Sequence, residues 1–408
     1  MKNISINSTK MKENNSKIIL NAIRFSNSST RIEVAHATGL TSATVTNIVG
    51  DLINQHFVKE IGAIHSTFEP ANKNRIRKNG RKPIGLAINE NAGYVIGIEL
   101  LAGKITTIVT DFAGKIADQV SEEFSLEETG DKILILLYKQ VDQMLQSAQT
   151  LPGKLLAIGI GTVGPIDHER GVIVNPPNVP GLTNMPIKDL LESRYHVPVV
   201  HEHQTAIVAF CEKWFGDASD SDCMLTCCVN VGIGSSLLIN GDFFWGFHGS
   251  GAEIGHMRID PNGKKCGCGN YGCLETVADT RALVNSVREC FKQDLELSKA
   301  LGVDNADDID LDFVVAHEDV EEIRCQVLMT ARYVAYALCN CIMILSPDTI
   351  VMAGDLPNRS KIFVEEIRRI VYGTPYPQHI NEIKIYCSQY KEMAGPLGAA
   401  ALALDIVI

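Results

Sequence analysis

Three cysteines and one histidine lie close together in a glycine-rich stretch of the chain. Cys266, Cys268 and Cys273 follow His256 within eighteen residues. Four nitrogen and sulfur ligands are the set that zinc takes in tetrahedral structural sites, where the protein fills every position. The glycines between these residues allow the chain to turn tightly around an ion. The spacing therefore predicts one structural zinc ion per chain, with a disulfide or free thiols as the alternatives.

Acidic and amide side chains near these ligands predict a second kind of chemistry. Glu253 precedes the histidine and Glu275 follows the last cysteine, so a bound metal would hold both carboxylates rigid. Asn178 lies on a proline-rich loop, 175–181. Carboxylates and amides form the hydrogen bonds that recognise the hydroxyls of a neutral sugar. Either carboxylate alone would be interpreted as a solvated or capping group, but both together beside metal ligands favour a sugar site.

The elements that open the chain form a pattern of short helices. Apolar residues at helical spacing predict a first helix over about 16–25. Thr30 and Glu33 have the spacing of a capping box, and Gly39 is suited to the left-handed residue that ends a helix. Thr41 then caps a third helix that runs to about Gln55. Two helices joined by such a short turn predict a helix-turn-helix.

The third helix has one apolar face, which packs inward, and one small polar face. Small residues let a helix lie deep in the major groove, where Asn47 can pair with an adenine edge. Predicted strands over 57–61 and 83–88 form a wing, and the loop between them has six positive charges in ten residues, 73–82. The alternative is a small helical subdomain with a solvated basic loop. The candidate DNA contacts are Arg31, Thr41, Ser42, Ala43, Thr44, Thr46, Asn47, Arg81 and Lys82.

Composition and charge limit the class of protein. The 408 residues are 45% apolar and 21% charged, which is typical of a globular chain with two or three domains. No apolar run reaches the roughly 18 residues that span a bilayer, and no secretory signal is evident, so we expect a cytoplasmic protein. Residues 1–85 carry a net charge of +8 and residues 86–408 a net charge of -19. This asymmetry indicates that the N-terminal part alone meets a polyanion.

The acidic remainder of the chain repeats one pattern of strands. Strands are predicted over 94–101 and 105–111, and again over 224–231 and 235–239, each pair followed by a further strand and helices. Two copies of this unit indicate a two-lobed α/β fold with a cleft between the lobes. Gly232-Ile233-Gly234 is predicted as a phosphate-binding turn, whereas the turn at Glu99–Lys104 is predicted to be an ordinary hairpin. A small-residue helix over 395–404 is expected to pack closely on a sheet.

Taken together, these motifs resemble the ROK family of repressors, open reading frames and kinases, from Asn15 to Leu404. The resemblance rests on the cysteine-rich metal segment, on Glu253-Ile-Gly-His256, and on the turns Thr38-Gly39-Leu40 and Gly80-Arg81-Lys82-Pro83. It implies a two-lobed actin-like, ribonuclease H-like ATPase fold, preceded by a winged helix-turn-helix. It also implies sugar contacts from Asn178, Glu253, His256 and Glu275, with His256 as a zinc ligand too.

The chain departs from the kinase members of that family at two places. The resemblance aligns His203-Gln204 with the Asn-Asp pair of the kinases, in which the aspartate takes the proton from the sugar hydroxyl. An amide lacks the basicity for that step, so Gln204 cannot act as the general base. The first phosphate turn of the kinases is replaced by Glu99-Leu-Leu-Ala-Gly-Lys104. We therefore expect no enzymatic activity, while His203 and Gln204 remain able to hydrogen-bond a sugar.

The sequence predicts a sugar-responsive, DNA-binding regulator, most simply a repressor of carbohydrate-utilisation genes. It divides into a winged head at 1–88, a first lobe at 89–205 joined by a returning helix at 391–408, and a second lobe at 206–390 that holds the zinc loop. The expected partners are an operator DNA, a sugar effector and a second copy of the chain, as a homodimer or a dimer of dimers. A sugar kinase with an attached DNA-binding head is the alternative, and a regulator driven by a partner protein is a third possibility.

Overall fold

The computed structural model describes residues 8–26, 29–63, 83–176, 178–247 and 251–407. The basic loop 73–82, including Arg81 and Lys82, lies outside the described residues. The N-terminal part, residues 1–88, is called the head below, and the remainder is called the body. In the head, three helices surround a three-stranded sheet of order β1-β3-β2. Its elements are α1 (Ser8–Phe25), β1 (Ser29–Thr30), α2 (Arg31–Thr38), α3 (Ser42–Asn54), β2 (Val58–Ala63) and β3 (Ile84–Ile88).

Local sequence signals set the ends of the two helices that follow β1. Thr30 and Glu33 form the predicted capping box, in which each side chain bonds the other residue's backbone amide. Gly39 ends α2 with a φ of 68°, a conformation that glycine adopts without steric cost. Thr41 caps α3 by accepting a hydrogen bond from the amide of Thr44 at 3.2 Å. The helix pair predicted from these residues is therefore present.

The first five-stranded sheet of the body has the order β10-β7-β4-β5-β6. Its central strands β4 and β7 are parallel, and β5 runs antiparallel beside β4. Strands β4 and β7 are buried almost throughout and most of their residues are apolar, because helices cover both faces of the sheet there. The elements of this region are β4 (Tyr94–Leu101), β5 (Lys104–Asp111), β6 (Ile116–Glu123), α4 (Gly130–Ser147), β7 (Leu155–Thr162), β8 (Ile166–Asp167), β9 (Val172–Ile173), α5 (Ile187–Tyr195), β10 (Val199–His203) and α6 (Gln204–Phe215).

The second five-stranded sheet repeats this arrangement in the order β13-β12-β11-β14-β15. Its central pair β11 and β14 is parallel and β12 is antiparallel to β11, as in the first sheet. The predicted duplication of one unit is therefore confirmed. The elements are β11 (Cys223–Asn230), β12 (Gly232–Ile239), β13 (Asp242–Phe243), α7 (Glu275–Ala278), α8 (Thr280–Gln293), α9 (Leu295–Ala300), α10 (Leu311–Ala316), α11 (Glu321–Leu345), β14 (Thr349–Ala353), α12 (Asp355–Arg359), α13 (Lys361–Tyr372), β15 (Lys384–Cys387) and α14 (Ala394–Val407).

Helix α11 is the one helix among the described residues that is long and apolar enough to cross a membrane. Half of its most apolar window is buried inside the protein. Val327, Val334 and Leu338 lie on that buried face and belong to the core beside the second sheet. A core helix of a globular protein has this composition, so the apolarity of α11 follows from its packing.

The C-terminal helix α14 packs against the first sheet at backbone distance. A Cβ atom on Gly97 of β4 would lie 2.1 Å from the carbonyl oxygen of Pro396, and one on Gly159 of β7 would lie 1.8 Å from that of Ala399. On the opposite side, a Cβ on Gly398 would lie 1.7 Å from the carbonyl oxygen of Ile207 in α6. The predicted close packing of a small-residue helix on a sheet is therefore confirmed.

Three elements differ from the sequence-based expectations. Helix α1 begins at Ser8 rather than near residue 16. The further strand after the second strand pair is expected from the sequence over 242–247, but it ends at Phe243. The open phosphate-binding turn expected at Gly232-Ile233-Gly234 is not formed. Ile233 and Gly234 belong to β12 and pair with Val229 and Cys228 of β11, so the chain turns tightly at Val231. Direct pairing of Asn230 with Gly232 leaves too few residues for a wider loop.

The close approach of α14 predicts the effect of adding one methyl group. Gly159→Ala should destabilise the protein by about 3 kcal/mol, because its Cβ would clash with rigid backbone, and should lower the apparent unfolding midpoint by roughly 6–12 °C. Gly50→Ala in α3 is the matched control, since no atom lies within 4 Å of its Cβ position. It should stabilise the helix by about 0.5–1 kcal/mol. Thermal unfolding followed by circular dichroism measures both, and equal midpoints for the two variants would contradict the close packing.

Candidate functional site

The four predicted metal ligands lie together in the second half of the body. Their ligand atoms are all within 4.8 Å of one another. The Sγ atoms of Cys268 and Cys273 are 3.7 Å apart, and Nδ1 of His256 lies 3.7 Å from Sγ of Cys266. Two sulfurs bound to one tetrahedral zinc at about 2.3 Å are about 3.8 Å apart. The donor set and its spacing therefore fit a four-coordinate ion.

Glycines hold the loop that carries these ligands against its surroundings. A Cβ on Gly255 would lie 1.9 Å from the carbonyl oxygen of Ile233, which brings the turn before His256 onto β12. Gly272, with a φ of 70°, approaches Asp260 so closely that its Cβ would lie 1.6 Å from that carbonyl oxygen. The hydroxyl of Ser235 also donates a hydrogen bond to the carbonyl of Ala252. The positions of the ligands thus follow from backbone contacts with the second sheet.

The two carboxylates predicted for a sugar site lie beside this loop. Oε1 of Glu275 is 4.0 Å from Sγ of Cys266, and its Oε2 accepts a hydrogen bond from the amide of Ile233 at 3.4 Å. Burial raises the pKa of Glu253, the nearby His256 lowers it, and the charge of Glu275 raises it further. Glu253, His256 and Glu275 are therefore neighbours, as the sequence predicted.

Asn178 lies on the proline-rich loop, 175–181, and is hydrogen-bonded to the helix that follows Glu275. Its Oδ1 accepts a hydrogen bond from Nη1 of Arg281 at 3.3 Å. Arg281 in turn pairs with Asp279 at 3.2 Å, and Asp279 caps α8 by accepting a hydrogen bond from Ala282. The bridge joins the proline-rich loop to the helix that follows Glu275. Asn178 is thus joined to α8 by Arg281, a residue that the sequence analysis did not single out.

His203 and Gln204, at the start of α6, have separate surroundings. Nδ1 of His203 accepts a hydrogen bond from the amide of Thr205 at 3.3 Å and caps the helix. Burial lowers the pKa of His203 to about 4, so the ring is neutral at pH 7. Thr205 donates a hydrogen bond to the carbonyl of Ser235 at 3.1 Å, which joins α6 to β12. Gln204 instead lines a cavity with Glu99 and Lys104 of the first hairpin.

A contact between the two halves of the body was missed by the sequence analysis. His168, in the loop between β8 and β9, lies 3.1 Å from Glu202 and its ring centroid is 4.7 Å from that of Trp245. Trp245 also packs on Phe243 at 4.9 Å. The aromatic run 243–247, directly before the metal loop, was a signal for such a contact because aromatic rings are frequent partners of sugars and of imidazoles. No spacing rule connects it with His168.

The polar face predicted for α3 is open to solvent. Thr41, Ser42, Ala43, Thr46 and Asn47 are exposed, Thr44 is half-buried, and the apolar stripe of the helix is buried. Asn47 makes no side-chain hydrogen bond to any residue in the described ranges. Arg31 is held by an ion pair with Glu60 of β2 at 2.9 Å. The exposed face therefore presents small hydroxyl and amide groups at the N-terminal turns of the helix.

Comparison with known proteins identifies the family to which most of the chain is similar. The family model described as ROK family matches residues 95–406. The "Putative xylose repressor" of Caldicellulosiruptor sp. strain Rt8B.4 is 30% identical over 97% of this chain and 96% of its own length. The "N-acetylglucosamine repressor" of Shigella flexneri is 27% identical over 84% of this chain and 80% of its own length.

Two solved structures of ROK family proteins are also similar to this chain. A ROK family transcriptional regulator, described as a homologue of the Escherichia coli MLC protein, superposes with a TM-score of 0.78 at 23% identity, covering 97% of this chain and 96% of its own. A ROK family glucokinase from Streptomyces griseus, solved with glucose and AMPPNP, gives a TM-score of 0.67 at 26% identity. It covers 76% of this chain and 99% of its own. The mixed α/β fold is therefore that of the ROK family, with kinase-type neighbours.

The pair of His168 and Glu202 predicts a proton-linked signal at Trp245. Contact with the Glu202 carboxylate raises the pKa of His168 above its ordinary value of about 6.5. The folded state therefore binds the proton on His168 more tightly than the unfolded state does. The contribution of this proton to the free energy of unfolding is complete below about pH 6.5 and is lost as the pH rises through the pKa of His168 in the folded state. In a Trp214→Phe background, Trp245 fluorescence should titrate above pH 6.5, because protonated imidazole quenches indole.

The carboxylate can be tested separately from its neighbours. Glu202→Gln should lower the midpoint of that fluorescence titration by removing the charge that stabilises the imidazolium. Glu169→Gln, an exposed residue next to His168, is the matched control and should leave the midpoint in place. An unchanged midpoint in Glu202→Gln would show that the ion pair does not set the pKa of His168.

Proposed function

This chain belongs to the ROK family, and we propose that it is a sugar-responsive, DNA-binding transcriptional repressor of carbohydrate-utilisation genes. One observation carries the proposal. The similarity to repressors extends over 97% of the chain and so includes the head, whereas the glucokinase structure covers 76% of it while using 99% of its own length. The kinase therefore accounts for a body alone, and the repressors account for body and head together.

In this proposal the head, residues 1–88, is a winged helix-turn-helix and α3 is its recognition helix. Its exposed N-terminal turns would enter the major groove, with Asn47 contacting a base edge and the hydroxyls of Thr41, Ser42, Thr44 and Thr46 near the backbone or the bases. Ala43 leaves room for the close approach. Arg81 and Lys82 would neutralise phosphates, and Arg31 would do so after exchanging its partner Glu60 for a phosphate.

The body would bind the sugar in the cleft between its two lobes. The first lobe comprises residues 89–205 and the returning helix 391–408, and the second lobe comprises residues 206–390. Glu253, His256 and Glu275 would contact hydroxyls from the side of the metal loop, and Asn178, His203 and Gln204 from the other side. Support comes from the neutral ring of His203 and from the bridge through Arg281, which brings the Asn178 loop towards α8. Xylose is the first sugar to test, because the relatives similar over nearly the full length are described as xylose repressors.

We propose that the metal is a structural zinc held by His256, Cys266, Cys268 and Cys273. When bound, zinc supplies four strong bonds to a loop that has no other covalent restraint. The loop in turn fixes Glu253 and Glu275 next to the ligands. Four protein ligands leave no open coordination position, so the role of the ion is to position the carboxylates.

The chain also lacks two features that sugar phosphorylation needs, one at Gln204 and one at the turn after β4. Gln204 stands where the resemblance to kinases requires a general base, and an amide does not accept the hydroxyl proton. The turn after β4 carries Leu101 and Ala102, whose side chains restrict the approach of a phosphate to the backbone. The sugar would therefore be bound without being transformed. Its binding would favour one arrangement of the two lobes and alter the spacing of two heads in a cytoplasmic homodimer.

DNA binding by the full-length chain tests the proposal. Selection from random duplexes should yield a palindrome with half-sites about one helical turn apart, and D-xylose should change the affinity for it. Asn47→Ala should weaken binding by about 1–3 kcal/mol, which is roughly five- to 150-fold, and relax the preference at one base pair. Asn91→Ala, an exposed amide on the turn after β3, is the matched control.

Three results would count against this function. DNA binding that is indifferent to D-xylose, N-acetylglucosamine and a panel of other sugars would remove the sensor role. Turnover in a coupled ATP assay with hexoses, pentoses and amino sugars, abolished by Gln204→Ala, would favour the kinase. A retained DNA response to a bound protein rather than to any sugar would favour a regulator driven by a partner.

Metal analysis tests the zinc site independently of DNA. Protein purified without chelator should contain about one zinc per chain, and Cys268→Ser should lose it and unfold at a lower temperature. Cys325→Ser is the matched control, because Cys325 is an exposed cysteine on α11 outside the ligand cluster. Full zinc content in Cys268→Ser would exclude that residue as a ligand.

A further inference from the structure

A cavity of about 380 Å³ lies beside the turn between β4 and β5. It is bounded by the beginnings of three helices, α6, α12 and α14. Leu101, Val208 and Cys228 give its wall an apolar portion. Polar side chains from separate elements complete the lining. The size and the mixed lining are typical of a site for a small organic molecule.

Three oxygen acceptors in this wall have no donor. Glu99 is nine-tenths buried, and its carboxyl group makes no hydrogen bond or ion pair with any residue that the structure describes. Oε1 of Gln204 and Oδ1 of Asn358 are buried and likewise unpartnered. All three residues line the cavity. The two amide oxygens are closed to solvent, so the carboxyl group of Glu99 is the acceptor that a ligand in the cavity would meet.

The charges around the cavity also select the ligand. Glu99, Glu123, Asp355 and Glu392 line it together with two cations, Lys104 and Lys391. Lys104 is already 3.7 Å from Glu392. Burial raises the pKa of Glu99 to about 8, Lys104 lowers it, and Asp355 and Glu392 raise it. At pH 7 the carboxyl group of Glu99 is therefore largely protonated in the empty cavity, but the other three acids still outnumber the two lysines, which disfavours a phosphate group. An ammonium group beside Glu99 would favour the ionised form of this acid.

We propose that this cavity is a second ligand site of the protein and that it binds a small organic amine. The ammonium group would lie at the Glu99 carboxylate, Asp355 and Glu392 would add negative charge nearby, and Leu101, Val208 and Cys228 would cover the alkyl chain. A bare metal ion would use the carboxylates but leave that apolar surface unmatched. Asn178, Glu253 and Glu275 do not line this cavity, so it is separate from the proposed sugar contacts, with Gln204 between the two.

Calorimetric titration of the full-length protein at pH 7 tests the amine site. The probes are 1,4-diaminobutane and n-butylamine, with magnesium chloride and magnesium AMPPNP as competing candidates. We expect one 1,4-diaminobutane to bind per chain and Glu99→Gln to weaken it at least tenfold. Glu127→Gln, the same change on an exposed turn outside the cavity, should leave the affinity unchanged.

Each other outcome overturns the proposal. If neither amine produces heat, the amine site is excluded. If magnesium alone or magnesium AMPPNP binds instead, and this binding depends on Glu99, the cavity has the ordinary chemistry of a kinase cleft. If Glu99→Gln does not fold by circular dichroism, Asp355→Asn serves instead and should weaken the diamine at least fivefold, because Asp355 also lines the cavity. The titration uses no DNA and no sugar, so a failed repressor assay would leave its result intact.

Discussion

The structure depends on the backbone contact between α14 and the first sheet. Gly97 and Gly159 on the sheet and Gly398 on the helix remove the side chains that would otherwise separate the layers. Helix α14 therefore occupies the middle of the molecule, between β4, β7 and α6. Its first residues border the cavity beside Glu99, and Asp405 near its other end pairs with Lys17 of α1 at 2.7 Å. One helix of small residues thus joins the ligand-lining part of the body to the head.

Helix α6 provides a second connection between the same regions. It begins at His203 and Gln204 and ends near Trp214, over which the Arg24 guanidinium lies at 3.9 Å. Burial lowers the pKa of Arg24 to about 10, although the group remains charged at pH 7. Stacking of Phe57 on Phe112 at 4.8 Å adds a third contact between head and body. A displacement at the start of α6 would therefore reach the head through packed side chains rather than through a flexible linker.

Sequence reasoning was most successful where the determining residues are close together in the chain. The capping box at Thr30, the glycine end of α2 and the four metal ligands each lie within a short window, so their types and spacing specify the geometry. The repeated strand pattern was sufficient to predict two related sheets. It could not show that Ile233 and Gly234 are paired within β12, because strand register depends on the partner strand. The contact of His168 with Trp245 was missed for a similar reason, since it joins segments that are distant in sequence.

In the wall of the cavity, the residue at position 99 and the residue at position 395 compete for the same space. The family resemblance places an aspartate at position 99, and the glutamate found here extends the carboxylate by one methylene. A Cβ atom on Gly395 would lie 2.0 Å from Oε1 of Glu99, so the carboxyl group fills the space that a side chain at position 395 would need. Any larger residue at position 395 would drive the acid out of the wall. The longer acid therefore uses space that the glycine leaves free, and its carboxyl group lies beside the first turn of α14, where an incoming phosphate would otherwise be favoured.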